Sequence, residues 1–172
     1  MTDPSSIVLT GPSGAGKSTV GRILADMTER TFVDMDAELE SDLGCTITEY
    51  FEEHGEGAFR DRESALCVDL ASRAGLVIAA GGGAILRTAN REALSCRGIL
   101  VNLSAPVDTL LRRLDASDDR PLLQGDRRQA LLALIEERRA AYGAAAVQVD
   151  TDGLSPEQVA RRVAGIVGAM EP

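Results

Sequence analysis

One stretch near the start of this chain leaves it few folds to choose from: SIVLTGPSGAGKSTVGRIL, residues 6–24. A β-branched apolar run stops at a glycine-rich turn, and an amphipathic segment follows at once. The turn fits G-x-x-x-x-G-K-[ST] in the strand-to-helix setting that gives the pattern its meaning. Gly11, Gly14, Ala15 and Gly16 let successive N–H groups wrap a phosphate, and the helix N-terminus adds its dipole. Lys17 is placed to reach the β- and γ-phosphates and Ser18 to bind Mg²⁺ through its hydroxyl, with Thr19 beside them as a further nucleotide-binding residue. Lys17 is also the only lysine among 18 basic residues. In a chain biased this far toward arginine, the single compact ammonium stands where a phosphate loop requires one.

A strand feeding a helix in this way implies a sheet of parallel strands with helices between them, and the rest of the chain agrees. Apolar runs at 6–10, 31–34, 76–80, 98–103 and 146–150 read as buried strands. Segments near 17–28, 57–73, 88–95, 106–114, 126–142 and 155–169 carry helical spacing of apolar residues. Pro106 and Pro156 suit helix first turns, with Ser104 and Ser155 near the caps. The expectation is an α/β chain, a single three-layer α/β/α domain over residues 1–172 with a five-stranded parallel sheet.

Charge and cysteine usage narrow the partners. A net charge of −9 argues against a broad basic surface for nucleic acid or acidic lipid. Any polyanion must be held by a few focused cations. Cys45, Cys67 and Cys96 form no CxxC pair and read as reduced thiols used as filler. With no signal-like N-terminus and no run of membrane-spanning length, a cytoplasmic protein is expected. His54, in EEHGEG, reads as a solvated loop residue.

The acceptor side is drawn from scattered signals. TFVDMDAELE places Asp34 and Asp36 two apart at the end of the second strand, so that in extended chain both point the same way. One carboxylate can hold Mg²⁺ and the other a hydroxyl; alternatively Asp36 merely caps a helix beginning at Ala37. In ITEYFEEHGEGAFRDRES, Arg60 directly follows Phe59, with Phe51 upstream. Its guanidinium suits a bidentate grip on a carboxylate, and Glu63 can orient it across one turn. GLVIAAGGGAILR ends the third strand in Gly81, Gly82 and Gly83, a second glycine cluster without the Lys-Ser of a phosphate site. It reads as a floor on which backbone approaches the acceptor. LLRRLDASDDRPLLQG is a charged break, expected to be a lid over about 112–125 with Arg112, Arg113 and Arg120. Arg138, four residues before Tyr142, can pair or stack with it; Arg139 is the poorer partner for a site.

Six stretches in this order and spacing (GPSGAGKST, FVDMDAELE, ITEYF…GEGAFRDRE, AAGGGA, RRLDASDDRPLL and ERRAAY) resemble the shikimate kinase family, within the nucleoside-monophosphate-kinase-like P-loop group. The resemblance implies a P-loop kinase fold with sheet order 2-3-1-4-5 and a short lid. It also implies phosphorylation of the shikimate 3-hydroxyl by MgATP, and a monomer with no nucleic-acid or membrane partner. Carried onto this chain, it makes Lys17, Asp36 and Arg120 catalytic and puts Ser18 and Asp34 on the Mg²⁺ side. Arg113 would lie near the adenine, with Arg120 on the phosphates. Asp36, Phe51, Phe59, Arg60, Gly81, Gly82, Gly83, Leu122 and Arg138 would form the shikimate side. Two departures stand out: Ala140 where members often carry proline, and Leu154 where some present a basic residue to the nucleotide. The competing functions are a kinase for another hydroxylated acid, such as gluconate or an aminoshikimate, and a nucleotide-binding regulator without acceptor turnover. The Phe-Arg, triple-glycine and Arg-x-x-x-Tyr set favours the cyclic acid.

Overall fold

Five strands alternate with eight helices in the structure, a computed structural model that describes residues 5–116 and 127–170. The strands β1 (Ser6–Thr10), β2 (Thr31–Asp34), β3 (Leu76–Ala79), β4 (Gly98–Ser104) and β5 (Val147–Asp150) make one parallel sheet in the order β2-β3-β1-β4-β5. This is the order that the family resemblance implies. Side chains alternate along each strand, so the register sorts the core into two layers. Val8 faces Ile78 and Leu100 across the sheet and joins Val33 in one core; Ile7, Leu9, Val77 and Val101 belong to the other.

Helices cover both faces. The first core is closed by α2 (Met35–Leu43), α3 (Ile47–Ser72), α4 (Thr88–Cys96) and α7 (Arg139–Gly143), through Met35, Leu39, Phe59, Leu70, Leu94 and Tyr142. The second is closed by α1 (Lys17–Thr28), α5 (Val107–Asp115), α6 (Arg127–Glu137) and α8 (Pro156–Gly168), through Leu24, Leu110, Leu131 and Val163. Each of these large side chains, fully removed from water, contributes roughly 1.5–3 kcal/mol. Among the described residues no helix is long and apolar enough to cross a membrane.

Four local expectations need correction. The helix expected over 57–73 begins ten residues earlier: Thr46 and Glu49 form a reciprocal capping box, and the helix kinks at Gly55, where φ is 82°. The residues before the kink offer only Ile47, Tyr50 and Phe51 to the core, too short a run to show its period. His54 accordingly lies on this helix, its ring 4.4 Å from that of Tyr50, and not in a loop. The stretch 126–142 is two helices, broken at Arg138 (φ −95°, ψ 1°) even though Ala140 replaces proline. Finally, Ser155 caps α8 as expected, but Ser104 stays in β4 and Pro106 takes the cap position of α5.

Of the cysteines only Cys67 is core filler, fully buried and pushed up to about 12, chiefly by burial and also by Glu63. Cys45 is half-buried and Cys96 exposed, both as free thiols.

Candidate active site

All the functional candidates among the described residues come from the carboxyl ends of strands or from helices packed beside them. The strand order reverses about β1, which has β3 on one side and β4 on the other. A parallel sheet opens a crevice at such a switch point.

The phosphate loop fills the crevice floor. Gly11 has φ +135°, and a Cβ there would lie 2.2 Å from the Leu103 carbonyl oxygen, so only glycine fits. Gly16 is the left-handed N-cap of α1, and no side chain caps that helix, which leaves its first-turn N–H groups to face an anion. Lys17 Nζ donates to the carbonyls of Gly11 (2.7 Å) and Pro12 (3.1 Å), an arrangement that holds the ammonium across the loop. A cleft of about 540 Å³ runs on from the loop, lined by Gly14, Lys17, Arg113, Thr151, Leu154 and Pro156 among others. Arg113 is fixed there by Thr151, whose hydroxyl (2.9 Å) and carbonyl (2.9 Å) both accept from it. Leu154 lines this same cleft. Thr151 was not singled out from sequence, although its place just past β5 was the available signal.

Asp34 and Asp36 part company. Asp34 ends β2 and is itself the cap of α2: its Oδ1 accepts from the Asp36 and Ala37 backbone N–H groups. Its Oδ2 accepts from Ser18 Oγ at 2.6 Å. Asp36 lies in the first helical turn, so the extended-chain argument for a shared direction fails, and so does the idea that Asp36 is the cap. Among the described residues no group of three His, Cys, Asp or Glu side chains could hold a metal ion. Mg²⁺ bound with a nucleotide needs only a hydroxyl or carboxylate or two beside the phosphates, which the Ser18–Asp34 pair fits.

The glycine triplet is covered by three side chains, one over each residue. A Cβ on Gly81 would stand 2.6 Å from Asp36 Oδ1; on Gly82, 2.7 Å from Arg138 Nη1; on Gly83, 2.1 Å from Arg60 Nη1. None of the three has a positive φ. What the glycines supply is room for two guanidiniums and a carboxylate against the backbone.

Glu63 supports this cluster from below. It is 2% exposed and accepts from Arg60 Nη1 at 2.8 Å, as the one-turn spacing suggested. Burial pushes its carboxyl above the usual range against the pull of Arg60; Asp36 adds to the rise and Arg138 opposes it. Burial works against the charge of Arg60, but Glu63 and Glu56 outweigh it and raise its pKa. The Arg60 guanidinium also lies 5.5 Å from the Phe59 ring centre and 5.9 Å from that of Phe51. Phe59 is core, and Phe51 is half-buried beside it. Arg139 is exposed and pairs with Glu136, away from the cluster. Sequence reasoning missed Arg87, which donates to the Arg60 carbonyl and to Asp61 and so pins the end of the glycine loop to α3. Arg120, Leu122 and most of the expected lid lie outside the described residues. Arg112 and Arg113, at its start, belong to the last turn of α5.

A phosphate loop at the switch point of a 2-3-1-4-5 parallel sheet, with helices packed on both of its faces, defines a P-loop kinase fold. The shikimate kinase family model matches residues 13–167. The chain is 46% identical to shikimate kinase of Halorhodospira halophila over 93% of this chain and 92% of that one. It is 40% identical to shikimate kinase of Geobacter sulfurreducens over 96% and 92%. The solved structure of shikimate kinase from Acinetobacter baumannii in complex with shikimate superposes with a TM-score of 0.90, at 40% identity, covering 98% of this chain and 95% of that one. This chain belongs to the shikimate kinase family. A gluconokinase from Sinorhizobium meliloti, 21% identical with a TM-score of 0.65, shares the fold alone.

Proposed function

We propose that this enzyme transfers the γ-phosphoryl group of ATP to the 3-hydroxyl of shikimate. The observation that carries the reading is the covered glycine triplet, which concentrates Arg60, Arg138 and Asp36 on one acceptor surface. Two guanidiniums match a carboxylate by charge and planar geometry, and a nearby carboxylate matches ring hydroxyls. Family membership and the relative with shikimate bound support the same acceptor.

In this mechanism the protein works by positioning and charge stabilisation. Arg60 and Arg138 hold the acid group, with Glu63 orienting Arg60. The backbone at Gly82 approaches the ring, with Phe51 and Phe59 along the pocket. Asp36 takes the ring hydroxyls and accepts the proton of the attacking one. Lys17 and Arg120 stabilise the transferring phosphoryl, while Arg113 and Leu154 flank the nucleotide base. Ser18 and Asp34 would hold Mg²⁺, which supplies charge neutralisation on the phosphates.

The test is ADP release with shikimate, shikimate methyl ester, gluconate and nucleoside monophosphates. Shikimate should be used far better than all the others, the ester included, because it alone combines the carboxylate with the ring. Arg60→Ala and Arg138→Ala should each raise KM for shikimate steeply and for ATP little, a loss of about 2–5 kcal/mol for an unpaired buried charge. Equal use of acid and ester by the unmodified enzyme would refute the carboxylate clamp.

A further inference from the structure

Among the described residues, two buried side-chain polar atoms have no hydrogen-bond partner: Arg138 Nε and the Tyr142 hydroxyl. They are one donor and one acceptor, four residues apart across the break between α6 and α7. Everything else about Tyr142 is satisfied. Its ring is buried in the core with Phe59, Ala141 and Ala145. Its N–H donates to the Arg138 carbonyl at 2.9 Å, and its own carbonyl accepts from Gln148 Nε2 at 3.0 Å. Burial pushes the hydroxyl up, so it stays a neutral phenol; the Arg138 guanidinium, near enough to pull on it by hydrogen bonding and by charge although no well-aligned bond is made, opposes the rise. Phenylalanine would fill the same space without leaving a buried oxygen unpaired, so packing alone gives the hydroxyl no reason to be there.

We propose that Tyr142 is a positioning residue for the acceptor: its oxygen takes the Nε–H of Arg138 when the acceptor docks, which turns both terminal guanidinium nitrogens toward the acceptor's carboxylate. This rests on the reading that Arg138 holds that carboxylate. The guanidinium has space to turn, because Nη1 lies over Gly82, where no Cβ intrudes. An arginine anchored through Nε presents an end-on fork, so the bond selects among its donor edges as well as adding a contact.

The test is Tyr142→Phe, alone and combined with Arg138→Ala. The single variant should keep or gain thermal stability in the free protein, since it removes an unpaired buried group. Its KM for shikimate should rise about tenfold, the scale of one hydrogen bond to a charged group. Its KM for ATP and its kcat should stay within about twofold. In the Arg138→Ala background the same substitution should change KM for shikimate no further, because the hydroxyl acts through Arg138. A variant with lowered stability and unchanged KM would overturn the proposal, since the hydroxyl would then have a structural partner in the free protein. An undiminished KM effect without Arg138 would overturn it too. An unmodified enzyme that ignores shikimate would overturn the acceptor reading and this inference together, whereas normal shikimate use by both enzymes would sink this inference alone.

Discussion

Ser18 Oγ donates to Asp34 Oδ2 over 2.6 Å, while Oδ1 of the same carboxylate caps α2. One side chain thus joins the phosphate loop to the helix that carries Asp36. The two roles separate by substitution. Asp34→Asn should keep stability within about 0.5 kcal/mol, since asparagine caps as well as aspartate, whereas Asp34→Ala should lose about 1 kcal/mol. Both should lower kcat and shift its Mg²⁺ dependence to higher concentration. Thermal melts and Mg²⁺ titrations of turnover check this; a normal Mg²⁺ curve for the asparagine variant would leave Asp34 with the cap alone.

Lys17 bridges the two carbonyls at the mouth of the loop. Lys17→Ala should leave the sheet intact and cut kcat by at least about two orders of magnitude, because it deletes charge stabilisation of the transferring phosphoryl. Steady-state kinetics on a variant shown to be folded by circular dichroism decide it. Near-normal turnover would remove the role.

The glycine triplet makes a spatial prediction. Gly82→Ala should drive the Arg138 guanidinium off the floor and Gly83→Ala that of Arg60, each raising KM for shikimate tenfold or more, on the order of 1.4 kcal/mol. Gly165→Ala is the control. It sits in α8 with nothing within 4 Å of an added Cβ. It should stabilise the protein by about 0.4–1 kcal/mol and leave both KM values unchanged. Melting curves and acceptor titrations of the three variants give the answer.

Glu63 sets a pH dependence. Burial is the main cause of its rise above the ordinary 4.5, so the folded state binds this proton more tightly than the unfolded one. Its contribution to stability is therefore fully present below about 4.5 and is lost as pH rises through the raised folded value. Glu63→Gln has no such titration. The stability of the unmodified protein relative to this variant should fall as pH rises above 4.5 in urea denaturation. The opposite slope would mean that Arg60 outweighs burial at this carboxyl. KM for shikimate should rise in the variant at pH 7, because Arg60 loses its buried partner.

Much of the site was legible before any fold was drawn, because its signals are local. Gly16 and Lys17 act within a few residues of themselves, and the spacing of the motif specifies the loop. The close approach that demands glycine at position 11, by contrast, comes from Leu103 in β4. Arg60 and Glu63 are one helical turn apart, so their pairing followed from the period. The errors were local as well. Asp36 was placed on an extended strand because the cap formed by Asp34 is invisible until the chain is known to turn there. The early start of α3 hid behind a kink at Gly55 and a short apolar run.

The sequence by itself determined the strand–helix alternation, the phosphate loop and the family, since these depend on residue order and short-range chemistry. Only the tertiary structure decided what the second glycine cluster is for. Gly81, Gly82 and Gly83 have no unusual backbone angles to betray a purpose. Their lack of side chains matters because α2, α3 and the α6–α7 break bring Asp36, Arg60 and Arg138 over them. Those side chains lie between 23 and 56 residues away along the chain, so no local pattern links them to the triplet. The order of the sheet and the packing of helices on one of its faces do.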